Sequence, residues 1–131
     1  MKLIELTLNQ DPPLMEMANL FKSDTGLDYP IWIGRVGGQH GPRVKVSNVL
    51  GKWRMNDNFV VSVSKNPRLL TKDTCKLTNT DLQRIYHWIK LNYDDLMLLW
   101  WIFERGALTV KDEDTGRVFS YDEIIDGFIK V

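Results

Sequence analysis

The feature that most constrains the fold is a region of alternating apolar and polar residues, interrupted by turn signals, between residues 29 and 64. In RVKVSNV, Val44 and Val46 fall on one side of the chain, and FVVSVS alternates in the same way from Phe59. Alternation with a period of two indicates strands that bury one face. Because short turns separate these strands, we predict an antiparallel meander of three or four strands.

A helical region follows the meander. Thr78 and Asp81 have the spacing of a capping box, which marks a helix start, and Arg105-Gly106 marks its end. Asn92 lies in the middle and is itself a good cap residue. Two alternatives therefore stay open: one long helix over 79–105, or two helices that meet near Asn92.

Weaker signals predict the secondary structure near the two ends of the chain. Residues 3–8 alternate like a strand, and Asp11-Pro12 predicts a helix over 12–24. Residues 112–116 form a turn with a glycine, which predicts a C-terminal hairpin. Ser120 and Glu123 then cap a short helix. Together these elements predict a single α+β domain over 1–131, in which helices pack on one face of a small antiparallel sheet.

Composition excludes several classes of protein. The 131 residues include 17 basic and 17 acidic side chains, so the chain is neither a polycation nor an acidic tail protein. The single cysteine, Cys75, excludes an intrachain disulfide. No apolar stretch reaches about 18 residues, and the N-terminus is too polar for a signal peptide, so we expect a cytoplasmic protein without a membrane span. No spacing of ligands or glycines predicts a metal site or any cofactor.

The charges are unevenly placed along the sequence. Between Gly34 and Lys72 there are eight cations and one acid, Asp57, a net charge of +7. Trp53 lies between two of these cations, an arrangement typical of proteins that stack single-stranded bases among positive charges. The alternative is a solvated face whose cations prevent edge pairing. The residues predicted to bind a partner or nucleic acid are Arg35, His40, Arg43, Lys45, Lys52, Trp53 and Arg54.

A glycine-rich loop over residues 37–42 carries His40. Small neighbours would let a ligand approach this histidine, which could then bind a phosphate or transfer protons during RNA cleavage. A second proton-transfer group is not evident, because His87 falls in the middle of a predicted helix. The sequence therefore favours a non-enzymatic protein, with a tight structural turn as the simpler interpretation of the loop.

Eight apolar residues follow one another over Leu96–Phe103. We expect Met97 and Trp100 to face the sheet and Trp100 to be buried. The other side of the helix then needs a cover, supplied either by other elements of the chain or by a partner, including a second copy in a dimer. The predicted protein-interface residues on that side are Leu98, Trp101 and Ile102.

The turn with His40 and the tryptophan-rich helix carry a resemblance. Over about residues 31–104, the chain resembles small bacterial and phage domains of unknown function, some linked to toxin–antitoxin loci, that carry a Pro-Pro-His-x-His hairpin. The matching positions are His40, Pro42, Trp88, Ile89, Leu91, Asn92, Leu96 and Trp100. The chain departs from the pattern in having one hairpin histidine and further residues after Gly106. The resemblance implies a prokaryotic or phage setting and no particular chemistry.

Two functional hypotheses result. The first is a non-enzymatic interaction protein from a phage or mobile element that binds, and thereby inhibits, a host nucleic-acid-handling defence complex. The second is a toxin-like protein that binds or cleaves RNA through the hairpin, with His40, Arg43 and Lys45. Multiple-turnover RNA cleavage that His40→Ala abolishes would favour the second.

Overall fold

The computed structural model describes residues 3–8, 17–34, 41–105 and 107–131. The strands are β1 (Leu3–Leu8), β2 (Met17–Leu20), β3 (Ile31–Gly34), β4 (Arg43–Ser47), β5 (Asn58–Ser62), β6 (Ala107–Asp112) and β7 (Val118–Ser120). The helices are α1 (Lys22–Thr25), α2 (Asn79–Leu91), α3 (Tyr93–Arg105) and α4 (Tyr121–Asp126), and a 3-10 turn covers Lys72–Thr74. The α+β class is confirmed.

The predicted meander is a four-stranded antiparallel sheet in the order β2-β3-β4-β5. Its inner face buries the residues that the alternation assigned to the core, among them Val44, Val46, Phe59 and Val61. Each of these side chains removes apolar surface from water, which is the main source of the sheet's stability. The opposite face, here called the outer face, carries the polar residues of the same strands.

A second sheet has the order β1-β6-β7. Its β6–β7 hairpin confirms the predicted C-terminal hairpin, and β1 confirms the predicted first strand. The buried carboxylate of Asp112 organises the turn by accepting from the backbone N–H of Asp114 at 3.1 Å and from the Thr115 hydroxyl at 2.8 Å. The antiparallel pairing of β1 with β6 joins segments that are far apart in the sequence.

The predicted helix over 12–24 is wrong where the structure describes it. Residues 17–20 form β2, and only Lys22–Thr25 are helical, while residues 12–16 lie outside the described residues. Ala18 and Leu20 pair with Ile33 and Ile31 of β3, so their side chains join the inner face. Pairing with a neighbouring strand outweighs the helical spacing, since propensity is a weak determinant beside tertiary contacts.

The helical region consists of two helices, not one. Thr78 caps α2, because its hydroxyl accepts from the backbone N–H of Asp81 at 3.2 Å. Asn92 ends α2 and α3 begins at Tyr93. Ser120 caps α4 in the same way through the N–H of Glu123, at 3.4 Å.

Helix α3 is apolar on more than one side because it contacts both sheets, through β3 and β6, as well as α4. Leu99 and Phe103 are fully buried, and so is Ile102. The prediction that Trp100 is buried is wrong: Trp100 and Met97 are only half-buried. A continuous run of apolar residues does not reveal the orientation of a helix that packs between two sheets.

Candidate functional site

The outer face of the four-stranded sheet brings an aromatic side chain and a cation together. Ile31 and Ile33 are buried on the inner face, so Trp32, which lies between them, points to the outer face and is half-buried. Trp32 is directly opposite Lys45 on β4, and Lys45 is opposite Val60 on β5. A row of Trp32, Lys45 and Val60 therefore crosses the sheet.

A second tryptophan extends this row. Trp53, in the loop between β4 and β5, stacks on Trp32 with ring centroids 6.4 Å apart and planes inclined by 17°. The ammonium of Lys45 lies 5.0 Å from the centroid of the Trp32 ring. An aromatic pair contributes about 0.5–1.5 kcal/mol beyond burial, and an exposed cation–π contact contributes about 0.5–1 kcal/mol. The two rings and the cation therefore support one another.

The loop that carries Trp53 is held by hydrogen bonds on both sides of the ring. The hydroxyl of Ser47 donates to the carbonyl of Lys52 at 2.6 Å. The side-chain amide of Asn58 donates to the carbonyls of Arg54, at 3.1 Å, and Met55, at 2.8 Å. These bonds satisfy backbone groups that strand pairing leaves free, and they limit how far Trp53 can move away from Trp32.

A polar network ties the same loop to the segment after β5. The amide of Asn48 donates to the Asp57 carboxylate at 2.9 Å, and the Lys76 ammonium lies 2.8 Å from the same oxygen. The hydrogen bond from Lys76 is the largest cause that lowers the pKa of Asp57 below its ordinary value, and the bond from Asn48 is the next. Arg54 acts in the same direction at longer range. Asp57 is therefore paired chiefly with Lys76.

The edge of the outer face carries further cations. Arg43 on β4 is opposite Ser62 on β5. The backbone N–H of Ser62 donates to the carbonyl of Arg68 at 2.9 Å, and the Arg68 N–H donates to the Ser62 hydroxyl at 3.0 Å. A second row of Arg43, Ser62 and Arg68 therefore runs beside the first.

The structure brings together part of the predicted site. Lys45 and Trp53 lie within one cluster, and Arg43 occupies the neighbouring row of the outer face. Lys52 and Arg54 flank Trp53 in the chain and are exposed. The predicted site residues Arg35 and His40 lie outside the described residues. Sequence reasoning missed Trp32 and Arg68, although the alternation of Ile31 and Ile33 around Trp32 was a usable signal.

Two of the three residues predicted to form a protein interface on α3 are buried within the chain. Leu98 is 6% exposed and Ile102 is fully buried, so other parts of the chain cover both side chains. Trp101 is half-buried and packs against the core. The alternative in which the chain covers this side of α3 by itself accounts for Leu98 and Ile102, and these two residues offer a partner no substantial surface.

The described residues were also compared with the requirements of a metal site, a reactive histidine or cysteine, and a membrane span. In the described part of the chain, no three His, Cys, Asp or Glu side chains lie together in a way that could hold a metal ion. His87 is exposed on α2, and Cys75 is half-buried with a free thiol. Among the same residues, no helix is long and apolar enough to cross a membrane.

Comparisons with known proteins did not identify a relative of this chain. No protein family, no curated protein and no solved structure matches this chain. The geometry of the outer face is therefore the basis for the functional argument.

Proposed function

We propose that the protein is a non-enzymatic binding protein and that its outer sheet face binds single-stranded nucleic acid. The observation that carries this proposal is the stack of Trp32 and Trp53 beside the ammonium of Lys45. Proteins that bind single strands without sequence preference combine aromatic platforms for the bases with cations for the phosphates. This cluster contains both groups on one face of the sheet.

The charge of the region supports a polyanionic ligand. Residues 41–72 contain seven cations and a single acid, Asp57, and that acid is paired with Lys76. Lys45 and Arg43 project from the outer face in adjacent rows. Each phosphate that such a side chain neutralises releases counterions, which drives binding at low ionic strength.

The fixed position of Trp53 supports stacking as the second contribution. Because the Trp53 loop is already held by Ser47 and Asn58, binding of a base would require little ordering of the chain. The rings of Trp32 and Trp53 stack on the outer face of the sheet. A single strand, whose bases are accessible, fits such a surface better than a duplex, whose bases are stacked inside.

Binding of fluorescently labelled single-stranded oligonucleotides tests the proposal. Anisotropy gives the affinity as a function of salt, and tryptophan fluorescence reports stacking. We expect Trp53→Ala to weaken binding by about 1–3 kcal/mol, the contribution of one stacked base. Lys45→Glu should also weaken binding and should lower the slope of log affinity against log salt by about 1.

Lys90→Glu provides the matched control. Lys90 is exposed on α2, a helix whose Ile85 and Ile89 pack in the core, and the substitution changes the net charge by the same amount as Lys45→Glu. Its affinity should stay closer to that of the wild type. The proposal is wrong if the wild type does not bind single strands at low salt, or if Trp53→Ala and Lys45→Glu bind as tightly as Lys90→Glu.

The other hypothesis, that the protein inhibits a host nucleic-acid-handling complex, stays a prediction from the sequence. It would use the same cations against an acidic protein surface. In that case labelled oligonucleotides would not bind, and affinity for the protein partner would depend on Lys45 without quenching of tryptophan by bases. RNA cleavage through His40 also stays a prediction, because that residue lies outside the described residues.

A further inference from the structure

The sheet has an additional edge next to β5. Val61 forms an isolated antiparallel bridge with Leu69, and the N–H of Leu70 donates to the carbonyl of Val60 at 2.8 Å. This register places Leu70 directly beside Val60 and Arg68 directly beside Ser62. The segment 68–71 therefore continues the sheet by one short strand-like piece.

The register also decides which side chains share the outer face. Val61 is fully buried and Leu69 packs against the core, so both belong to the inner face. Side chains alternate along a strand, and Arg68 and Leu70 consequently lie on the outer face. Leu70 is 37% exposed, so its apolar side chain is accessible to a ligand on this face. It extends the row that starts at Trp53 and Trp32.

A groove lies at this edge, between the 68–71 segment and α2. The residues that line it are Pro67, Arg68, Leu69, Leu70, Lys72 and Tyr86. Tyr86 is half-buried, and burial is the main cause that raises the pKa of its hydroxyl. Residues 58–72 contain three cations and no acid. The groove thus combines an aromatic ring and an apolar side chain with positive charge.

We propose that a bound single strand crosses the whole outer face, from Trp53 and Trp32 over Lys45 to Leu70, and that its far end enters the groove beside Arg68 and Tyr86. This inference rests on the proposed function and assigns a second contact site for the same ligand. Arg68 and Lys72 contact phosphates, while Leu70 and Tyr86 contact a base. Three inter-strand steps of about 4.8 Å separate Trp32 from the Leu70 segment, a span of roughly 14 Å.

A length series of oligonucleotides tests the path. Wild-type affinity should rise as single strands lengthen from about 2 to about 10 nucleotides, a range that brackets the smaller site sizes known for such surfaces. The Arg68→Glu/Lys72→Glu variant should bind the shortest strands like the wild type but lose most of the gain with length. Its salt slope on the long strands should fall by about 1 for each lost phosphate contact. Lys45→Glu should weaken binding at every length.

Two further variants separate the path from general effects. Leu70→Ala should reduce affinity for long strands without changing the salt slope, since no charge is removed. Lys90→Glu/Lys130→Glu reverses two exposed charges that belong neither to β2–β5 nor to the 68–71 segment, and it should retain most of the gain with length. The edge pairing uses the backbone of Arg68, so Arg68→Glu/Lys72→Glu should fold, and its thermal melting shows whether it does.

The outcomes distinguish this inference from the function on which it rests. If the wild type binds and gains affinity with length, but Arg68→Glu/Lys72→Glu binds long strands equally well, the path is wrong and the proposed function stands. If affinity does not depend on length, the path is also wrong. If the wild type binds no single strand at low salt, both are wrong.

Discussion

The side chain of Asn92 joins the α2–α3 junction to the segment that follows α4. Its Oδ1 accepts from the N–H of Ile129 at 2.7 Å, and its Nδ2 donates to the Ile129 carbonyl at 3.0 Å. The same Nδ2 also donates to the carbonyl of Trp88 at 2.9 Å. Asn92 is only 3% exposed. The substitution Asn92→Ala removes all three bonds at once.

The structure indicates how much this loss should cost. The Trp88 carbonyl keeps a bond from the backbone N–H of residue 92, at 3.1 Å, so it retains a partner. Both polar backbone groups of Ile129 lose theirs in a partly buried position. An unsatisfied buried group costs about 1–3 kcal/mol, and partial access of water favours the lower half of that range. We therefore expect Asn92→Ala to destabilise the protein by about 2–4 kcal/mol, a large part of a typical stability of about 5–15 kcal/mol.

Urea unfolding followed by tryptophan fluorescence gives the free energy of unfolding, provided that the slope with denaturant is unchanged. Asn79→Ala is the matched control, because Asn79 is exposed on the same helix and its side chain accepts only a 3.5 Å contact from Gln83. It should change stability by less than about 0.5 kcal/mol. Hydrogen exchange at the Ile129 amide should accelerate in Asn92→Ala alone. Equal stabilities of the two variants would refute the role of the Asn92 bonds.

Two further predictions concern the backbone and pH. Gly26 has a φ of +78°, and a Cβ there would overlap the backbone of Val131, so Gly26→Ala should lower the melting temperature more than Gly51→Ala. Gly51, with a φ of +66°, has open space around it and should show only the left-handed backbone cost of about 1–2 kcal/mol; equal effects would contradict this account. The bond from Lys76 lowers the pKa of Asp57 in the folded state below its ordinary value of 3.8. The wild type should therefore have a higher free energy of unfolding than Asp57→Asn, measured by urea unfolding. This difference should be complete above the ordinary pKa and disappear as the pH falls through the folded-state pKa. A difference that stays constant across this pH range would contradict the assignment.

Local signals in the sequence determined several elements correctly. The alternation around Val44 and Phe59 predicted both the strands and their buried face, because a period of two is a direct consequence of strand geometry. Thr78 and Ser120 predicted where helices begin, since a cap acts on backbone groups only three residues away. The hairpin turn after Asp112 belongs to the same class of short-range effect.

Tertiary structure alone decided how segments that are distant in the sequence pair and pack with one another. Residues 17–20 carry helical spacing, yet they form β2 because β3 offers strand partners for Ala18 and Leu20. Helix α3 is apolar nearly all round because it packs between two sheets, and this arrangement depends on the pairing of β1 with β6. The candidate site is decided in the same way: Trp32, Lys45 and Trp53 meet only when two strands and a loop are brought into register. Spacing along the chain constrains neighbours within a few residues, whereas the energy of burying apolar surface selects among the many ways in which distant segments could meet.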